Sequence, residues 1–278
     1  MQNPLVSVVM ATYTGDDFDH LTEAVSSVLA QTYPNIELLI VVDGPVAADR
    51  KAYLDDVANH PKVNTIFLAK NSGPANARNV GIVAAQGEFI AIMDADDVSV
   101  DDRIEHQLGY LGANALDLMS SFLEVIDNEG NVLGVRQLPT SSEKVRALAP
   151  YRCPLHNPSA FGTAEAFKSH LYDVRYRVSE DYDLWVRLLR AGYRLGNSPH
   201  CCVRYRQSHA ATEKRRGMRY ALADARVKLS ARKMAKFTQR PAVILFAVCS
   251  SAVRLLPSGV FRLIYAFRTG RVSARGIG

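Results

Sequence analysis

A chain of 278 residues, 48% hydrophobic and 22% charged, has the apolar content for one large core or two modest ones, which excludes the disordered classes. Cys153, Cys201, Cys202 and Cys249 have no metal-ligand spacing, and the adjacent Cys201 and Cys202 close on each other only with strain, so a reduced compartment fits and a zinc centre does not. The net charge of +5 hides a division: residues 214–278 carry fifteen Lys or Arg against one acid, Asp224, a net +14, which leaves −9 on residues 1–213.

In chain order, residues 1–12 have no basic n-region, and Asp16 and Asp17 follow a short apolar stretch, so a secretory signal is not expected and the cytoplasm is. LVSVVMA (5–11) reads as a strand, and from Asp19 to Gln31 the residues Leu21, Ala24, Val25, Val28 and Leu29 fall at helical spacing. The alternation continues. IELLIVVD (36–43) predicts a buried strand, Ala48–Asn59 a helix, VNTIFL (63–68) a strand, Pro74–Gln86 a helix, and FIAIMD (89–94) a strand. Near-continuous apolar strands separated by helices predict an α/β fold, a mostly parallel sheet with helices on both faces.

Ligands bind beyond the carboxyl ends of such strands. Three ends carry polar residues: Thr12-Tyr13, Asp43-Gly44 and Asp94-Ala95-Asp96-Asp97. Any one of these serves an ordinary turn, but their coincidence at one edge predicts a crevice. Carboxylates packed as closely as Asp94, Asp96 and Asp97 raise each other's pKa unless a cation neutralises them. An oxygen-only cluster suits Mg²⁺ or Mn²⁺ together with a substrate phosphate; the competing reading is one aspartate capping a helix that begins near Asp101, the others being solvated.

Further along, DNEGN (127–131) predicts a hairpin turn. His156, before Asn157-Pro158, is read either as a turn residue or as facing a substrate. Ser179 is placed as an N-cap, with Leu184, Trp185, Leu188 and Leu189 as the apolar stripe of the following helix and Gly192 as its C-terminal stop. Glu180 and Asp181 then occupy the first turn. Acids there stabilise the helix dipole with no further purpose, yet the same dipole favours the ionised form that a proton acceptor needs. Neither a P-loop nor GxGxxG is present.

Beyond residue 213, residues 213–240 read as one long basic helix stopping before Pro241. The uncharged run Pro241–Val253 is thirteen residues, short of the roughly 20 that cross a bilayer. Arg262 and Arg268 interleave with Phe261, Leu263, Ile264, Tyr265 and Phe267, a mixture that fits a helix lying in a membrane interface. Packing on residues 1–213 or on a second subunit, hence a homo-oligomer, stays open. Nucleic acid is not favoured as a partner, because long aliphatic runs have no use there. Two regions are expected: 1–213, catalytic, and 214–278, basic, amphipathic, helical and membrane-associating.

VSVVMATY at the start, SVLAQTYPNIELLIVVDGP (27–45), NSGPANARNVGI (71–82), GEFIAIMDADD (87–97) and SEDYDLWVRLLRAGYRLG (179–196) together resemble glycosyltransferase family 2, inverting sugar transferases with the nucleotide-binding GT-A fold. VVDGP and HNPSAF (156–161) resemble the subgroup that builds bacterial capsular, exopolysaccharide or lipopolysaccharide chains. The resemblance spans roughly residues 5–209. It implies that Thr12, Tyr13 and Asp43 with Gly44 hold the nucleotide base, that Arg78 lies near the diphosphate, and that Asp94, Ala95 and Asp96 form the D-x-D element. Asp94 then lies near ribose and metal, and Asp96 binds the metal, Mn²⁺ or Mg²⁺. It further implies Asp181 as general base, beside Glu180, and His209 as an added metal ligand. Ser208 holds the matching position in the usual Tyr-Arg-x-His pattern, so an ordinary loop histidine is the rival reading for His209.

The activity implied is transfer of a sugar from a nucleotide donor, UDP-sugar foremost, to a glycan or polyprenyl-linked acceptor at the inner face of the cell membrane. The family's Gln-x-x-Arg-Trp motif is absent after residue 200, so one sugar per encounter is expected. The alternatives are a nucleotidyltransferase that makes the activated sugar, for which TYTGDD lacks the glycine-rich loop, and a non-catalytic scaffold binding nucleotide sugar or membrane.

Overall fold

Strand β1 (Val6–Thr12) is apolar toward both sides: Val6, Val8 and Met10 enter one hydrophobic cluster and Val9 the other. A strand with no polar face belongs at the centre of a sheet covered twice. That is its place in the computed structural model, which describes residues 3–207, 217–257, 259–261 and 264. β2 (Ile36–Val42), β3 (Val63–Phe67) and β4 (Phe89–Asp94) run parallel to β1 in the order β3-β2-β1-β4.

Helices α1 (Phe18–Leu29) and α2 (Ala48–Val57) bury Leu21, Val25, Val28 and Leu54 on one face. α3 (Pro74–Ala84) covers the other with Ala75 and Ile82. Asp17 caps α1, accepting from the Asp19 and His20 amides. α3 lies close to the sheet because Gly81 has no side chain: a Cβ there would come within 2.5 Å of Val9 Cγ1.

After β4 the pattern changes. β5 (Val98–Ser99), α4 (Arg103–Ala113), β6 (Leu118–Ile126), β7 (Val132–Arg136), α5 (Ser142–Leu148), β8 (Phe161–Thr163), α6 (Ala164–Ser169), α7 (Glu180–Ala191) and β9 (Leu195–Arg206) complete the domain. The strand order is β3-β2-β1-β4-β8-β6-β9-β5, with β7 beside β6. β8 pairs antiparallel with β4 and β6, β7 with β6 and β5 with β9, while β6 and β9 are parallel. The mostly parallel arrangement expected from sequence thus holds for the first four strands, and the whole sheet is mixed. The β6–β7 hairpin turns through residues 127–131, as the DNEGN stretch predicts.

α7 carries the predicted stripe: Leu184, Trp185, Leu188 and Leu189 are buried, each contributing about 1.5–3 kcal/mol over exposure. Gly192 ends it in the left-handed conformation, φ 101°. The N-terminal expectation is corrected. Ser179 does not cap with its side chain; it stands in the left-handed region itself, φ 62°, ψ 23°.

The basic region is also corrected. Instead of one helix over 213–240, α8 (Met218–Ala231) stops, two 3-10 turns follow, and α9 (Arg240–Ala252) begins with Pro241 in its first turn. Pro241 starts a helix rather than ending one, because an amide is not needed at that position. α8 sets Val227 and Ala231 against Tyr182 and Val186 of α7. The expected boundary at 213 and the residues 262, 263 and 265–268 of the interfacial reading lie outside the described residues.

Candidate active site

The register of the first four strands decides where polar residues gather. Thr12 pairs with Val42 and Ala11 with Asp94, so residues 12–13, 43–44 and 94–97 leave the sheet at one edge. Thr12 is buried and its hydroxyl donates to Asp16 Oδ2 at 2.9 Å; the Tyr13 amide donates to the same oxygen at 3.0 Å. Arg50, also buried, fixes this turn by donating to the carbonyls of Tyr13 and Asp16. The Asp43 carboxylate accepts from the Ser72 and Gly73 amides at 2.7 and 2.8 Å, tying the loop before α3 to the end of β2. Gly44 has φ 93°, and a Cβ there would meet the Asn71 nitrogen at 2.6 Å, so its glycine has a structural reason.

Arg78 projects from α3 between two carboxylates. Its Nη2 donates to Asp94 Oδ1 at 2.7 Å and its Nη1 to Glu180 Oε1 at 3.0 Å. Burial works against the charge on this guanidinium, but Asp94 and Glu180 more than offset it, and the pKa moves upward. One planar fork therefore links the end of β4 to the first turn of α7. Arg78, Asp94, Glu180 and Asp181 line a single cleft of about 480 Å³. His156 also lines it, its amide donating to Ser120 Oγ at 3.0 Å ahead of the 3-10 turn Asn157–Ser159. Asp181 Oδ2 stands 4.0 Å from the thiol of Cys153, whose pKa burial and then the Asp181 charge push well above the usual range, keeping it a neutral donor. Glu180 is held by Arg78, and Asp181 lines the cleft beside it with its Oδ1 accepting from the Tyr182 amide at 2.8 Å.

The acidic turn after β4 is crowded. Asp96 is exposed at its tip, yet the protein mass around it, followed by the charges of Asp94 and Asp16, pushes its carboxyl up to about 7. Asp97 is fully buried and raised well above the usual range by burial, then by Asp96 and Asp94. Its Oδ1 accepts from the Arg206 amide at 2.8 Å, and its Oδ2 has no hydrogen-bond partner. The Ala95 methyl belongs to the hydrophobic core, which leaves only its backbone for a ligand. His209 lies outside the described residues.

Among the described residues, no three His, Cys, Asp or Glu side chains converge as a metal cage. The donor set still fits a hard divalent cation, which binds through one or two carboxylates plus phosphate and water. Arg78 offsets part of the charge on Asp94, and what remains of the repulsion that Asp94 and Asp16 exert on Asp96 is what such an ion would relieve.

Three residues important here have no sequence signal. Asp16 joins the cluster through the β1–α1 turn. Arg50 braces that turn. Arg206, at the end of β9, holds the Asp96 carbonyl, the carbonyls of Asp127 and Asn128, and Glu23. Arg50 and Arg206 are lone residues far in sequence from what they touch, whereas the Asp16 carboxylate bonds its own turn and reaches the other aspartates through the fold.

The family model described as glycosyl transferase family 2 matches residues 7–176. The chain belongs to that family. Among curated relatives, an uncharacterized glycosyltransferase of Methanocaldococcus jannaschii is 31% identical over 212 residues, covering 74% of this chain and 72% of the relative. The amylovoran biosynthesis glycosyltransferase AmsE of Erwinia amylovora is 27% identical over 268 residues, 94% of this chain and 98% of the relative. Two solved structures share the GT-A fold with this glycosyltransferase. S. aureus TarS 1–349 in complex with UDP-GlcNAc has a TM-score of 0.66 at 15% identity, covering 95% of this chain and 78% of that one. Mannosyltransferase PcManGT from Pyrobaculum calidifontis, in complex with GDP-Man and Mn²⁺, has a TM-score of 0.60 at 16% identity, covering 96% and 80%.

Proposed function

We propose that this glycosyltransferase inverts the anomeric centre of a nucleotide sugar, a UDP-sugar foremost, as it passes the sugar to a glycan or polyprenyl-linked acceptor. The observation that carries the reading is Arg78: it joins Asp94, at the end of β4, to Glu180, next to Asp181, and of the residues assigned to the donor Arg78 and Asp94 line the same cleft as Asp181. Arg78 orients the carboxylates on either side of it and presents positive charge to a diphosphate. Asp181 accepts the proton of the acceptor hydroxyl as that oxygen attacks in line, its ionised form favoured by the α7 dipole. Thr12, Tyr13, Asp43 and Gly44 receive the base at the neighbouring strand ends. Mn²⁺ or Mg²⁺ held by Asp94 and Asp96, with His209 a further candidate ligand, would neutralise charge on the departing diphosphate.

The UDP preference is supported by the nucleotide in the TarS complexes, and the metal by the PcManGT complex. A role in bacterial capsule, exopolysaccharide or lipopolysaccharide assembly is supported by AmsE, matched over nearly its full length. Work at the inner membrane face is supported by the charge of residues 214–278. No described helix is long and apolar enough to cross a membrane.

Asp181→Asn tests the reading. Consumption of a UDP-sugar should fall about 10²–10⁴-fold, the usual contribution of a general base, with UDP affinity retained. Unchanged turnover would remove Asp181 from the mechanism and with it the proposed reaction geometry.

A further inference from the structure

Helix α9 is built inside out. Its buried positions are Val243, Ala247, Ser250 and Ser251. Ser250 Oγ accepts from Lys228 Nζ at 2.8 Å, and Ser251 Oγ donates to Asp224 Oδ2 at 2.9 Å, so half of the inward face is polar. The outward face is aliphatic: Ile244, Leu245 and Val248 are 41, 66 and 57% exposed, with Cys249 exposed among them. Phe237, in the turn just before the helix, is 80% exposed. A helix that only covered a protein core would present these residues the other way round.

The surroundings of this face carry one sign of charge. From Ala225 to Pro257 the chain has seven Lys or Arg and no acid, and of these Lys228 and Arg254 turn inward to Asp224, which leaves five for the surface. Lys233 and Lys236 are exposed in the turns leading to α9, and Arg240 begins the helix. A second copy of the chain would bring the same positive rim against itself, which like-charge repulsion disfavours. An anionic bilayer offers both complements at once: apolar depth for the aliphatic face and headgroup phosphates for the rim. With 13 residues, α9 is too short to span and suited to lie flat.

We propose that the outer face of α9, with Phe237 ahead of it, is the surface by which this protein lies on an anionic lipid bilayer. This rests on the membrane-face location in the proposed function and gives it a physical seat. The inward side of the same hairpin has a second consequence. Lys228 of α8, Ser250 of α9 and Arg254 line the cleft that holds Asp181, so the hairpin whose outer face meets the lipid also supplies one wall of that cleft.

Labelling Cys249 of the full chain with an environment-sensitive fluorophore tests this, with Cys249→Ser protein labelled in parallel to subtract reaction elsewhere. Vesicles of equal parts phosphatidylglycerol and phosphatidylcholine should brighten and blue-shift the label; pure phosphatidylcholine vesicles should not. Leu245→Glu with Val248→Glu should weaken vesicle binding more than about tenfold, and so should Phe237→Glu, which lies outside the helix and keeps the test alive if the double variant misfolds. A label already blue in buffer, with a mass that doubles with concentration, would show a second copy on this face and overturn the proposal. Vesicle binding indifferent to all three substitutions would place the contact elsewhere and equally overturn it. UDP binding by the same samples is a separate readout: its loss speaks against the glycosyl-transfer reading, and its retention with no vesicle response speaks only against α9.

Discussion

Arg78 is one guanidinium answering two carboxylates, with 11% of its side chain accessible. Replacing it by Gln leaves Asp94 and Glu180 facing a partly buried gap without a counter-charge. The expected cost is about 3 kcal/mol in urea unfolding, the usual penalty for breaking a buried pair from one side. Lys should rescue poorly, because a single ammonium cannot reproduce a fork whose two nitrogens serve acceptors on different elements. Ser179 makes the opposite case. A non-glycine residue at φ 62° directly before Glu180 is held in a costly conformation at the mouth of the site. Ser179→Gly should therefore raise stability by about 1 kcal/mol and lower turnover, since the chain leading to Asp181 gains freedom. A variant less stable than the parent would show that Ser179 is not strained. At this scale the sequence speaks unevenly. Asp94 and Asp96 are visible because they stand in a dense local pattern, and Arg78 only through the resemblance that NSGPANARNVGI carries. Arg50 and Arg206 are not, since what they brace comes from turns and strands distant along the chain, and Asp16 is not because only the fold brings its turn beside Asp94 and Asp96.

Among elements, those with a continuous apolar signal were legible: β1, β2 and β4, helix α1, and the stripe of α7. β8 has three residues and β5 two, too short for periodicity, so the antiparallel half of the sheet could not be read. The basic region misleads for another reason. Its charges surround the helix, so no apolar period marks where α8 ends, and a proline that reads as a stop begins α9 instead. The joint between these two helices is an ion-pair cluster: Asp224 meets Lys228 at 2.5 Å and Arg254 at 3.5 Å. Burial opposes the charge on Asp224, but Lys228 and Arg254 outweigh it and lower its pKa. A carboxyl depressed on folding stabilises the protein above its unfolded pKa and loses that contribution as pH falls through the folded one. The α8–α9 hairpin should hold from neutrality down to about pH 4, near the ordinary Asp value, and loosen below it. Asp224→Ala leaves Lys228 charged and buried. It should release α9 at neutral pH at a cost of about 3 kcal/mol, read as faster amide exchange in α9 with the core strands unchanged. Unchanged exchange in α9 would mean that its aliphatic contacts alone hold it.

On the scale of the whole molecule, charge is divided by task. The acidic first part places four aspartates, Asp16, Asp94, Asp96 and Asp97, at the edge where β1 and β4 end. The basic final part forms the far wall of the cleft and turns an aliphatic face outward. In the proposed reaction the acidic edge receives a nucleoside diphosphate while Asp181, in the first turn of α7, does not take part in holding it. Calorimetric titration of UDP with and without Mn²⁺ into the parent, Asp96→Asn and Asp181→Asn proteins measures this directly. Binding should depend on the metal, be equal in the parent and Asp181→Asn, and be at least about tenfold weaker in Asp96→Asn. UDP binding that ignores Mn²⁺ and Asp96, or that disappears with Asp181, would contradict it.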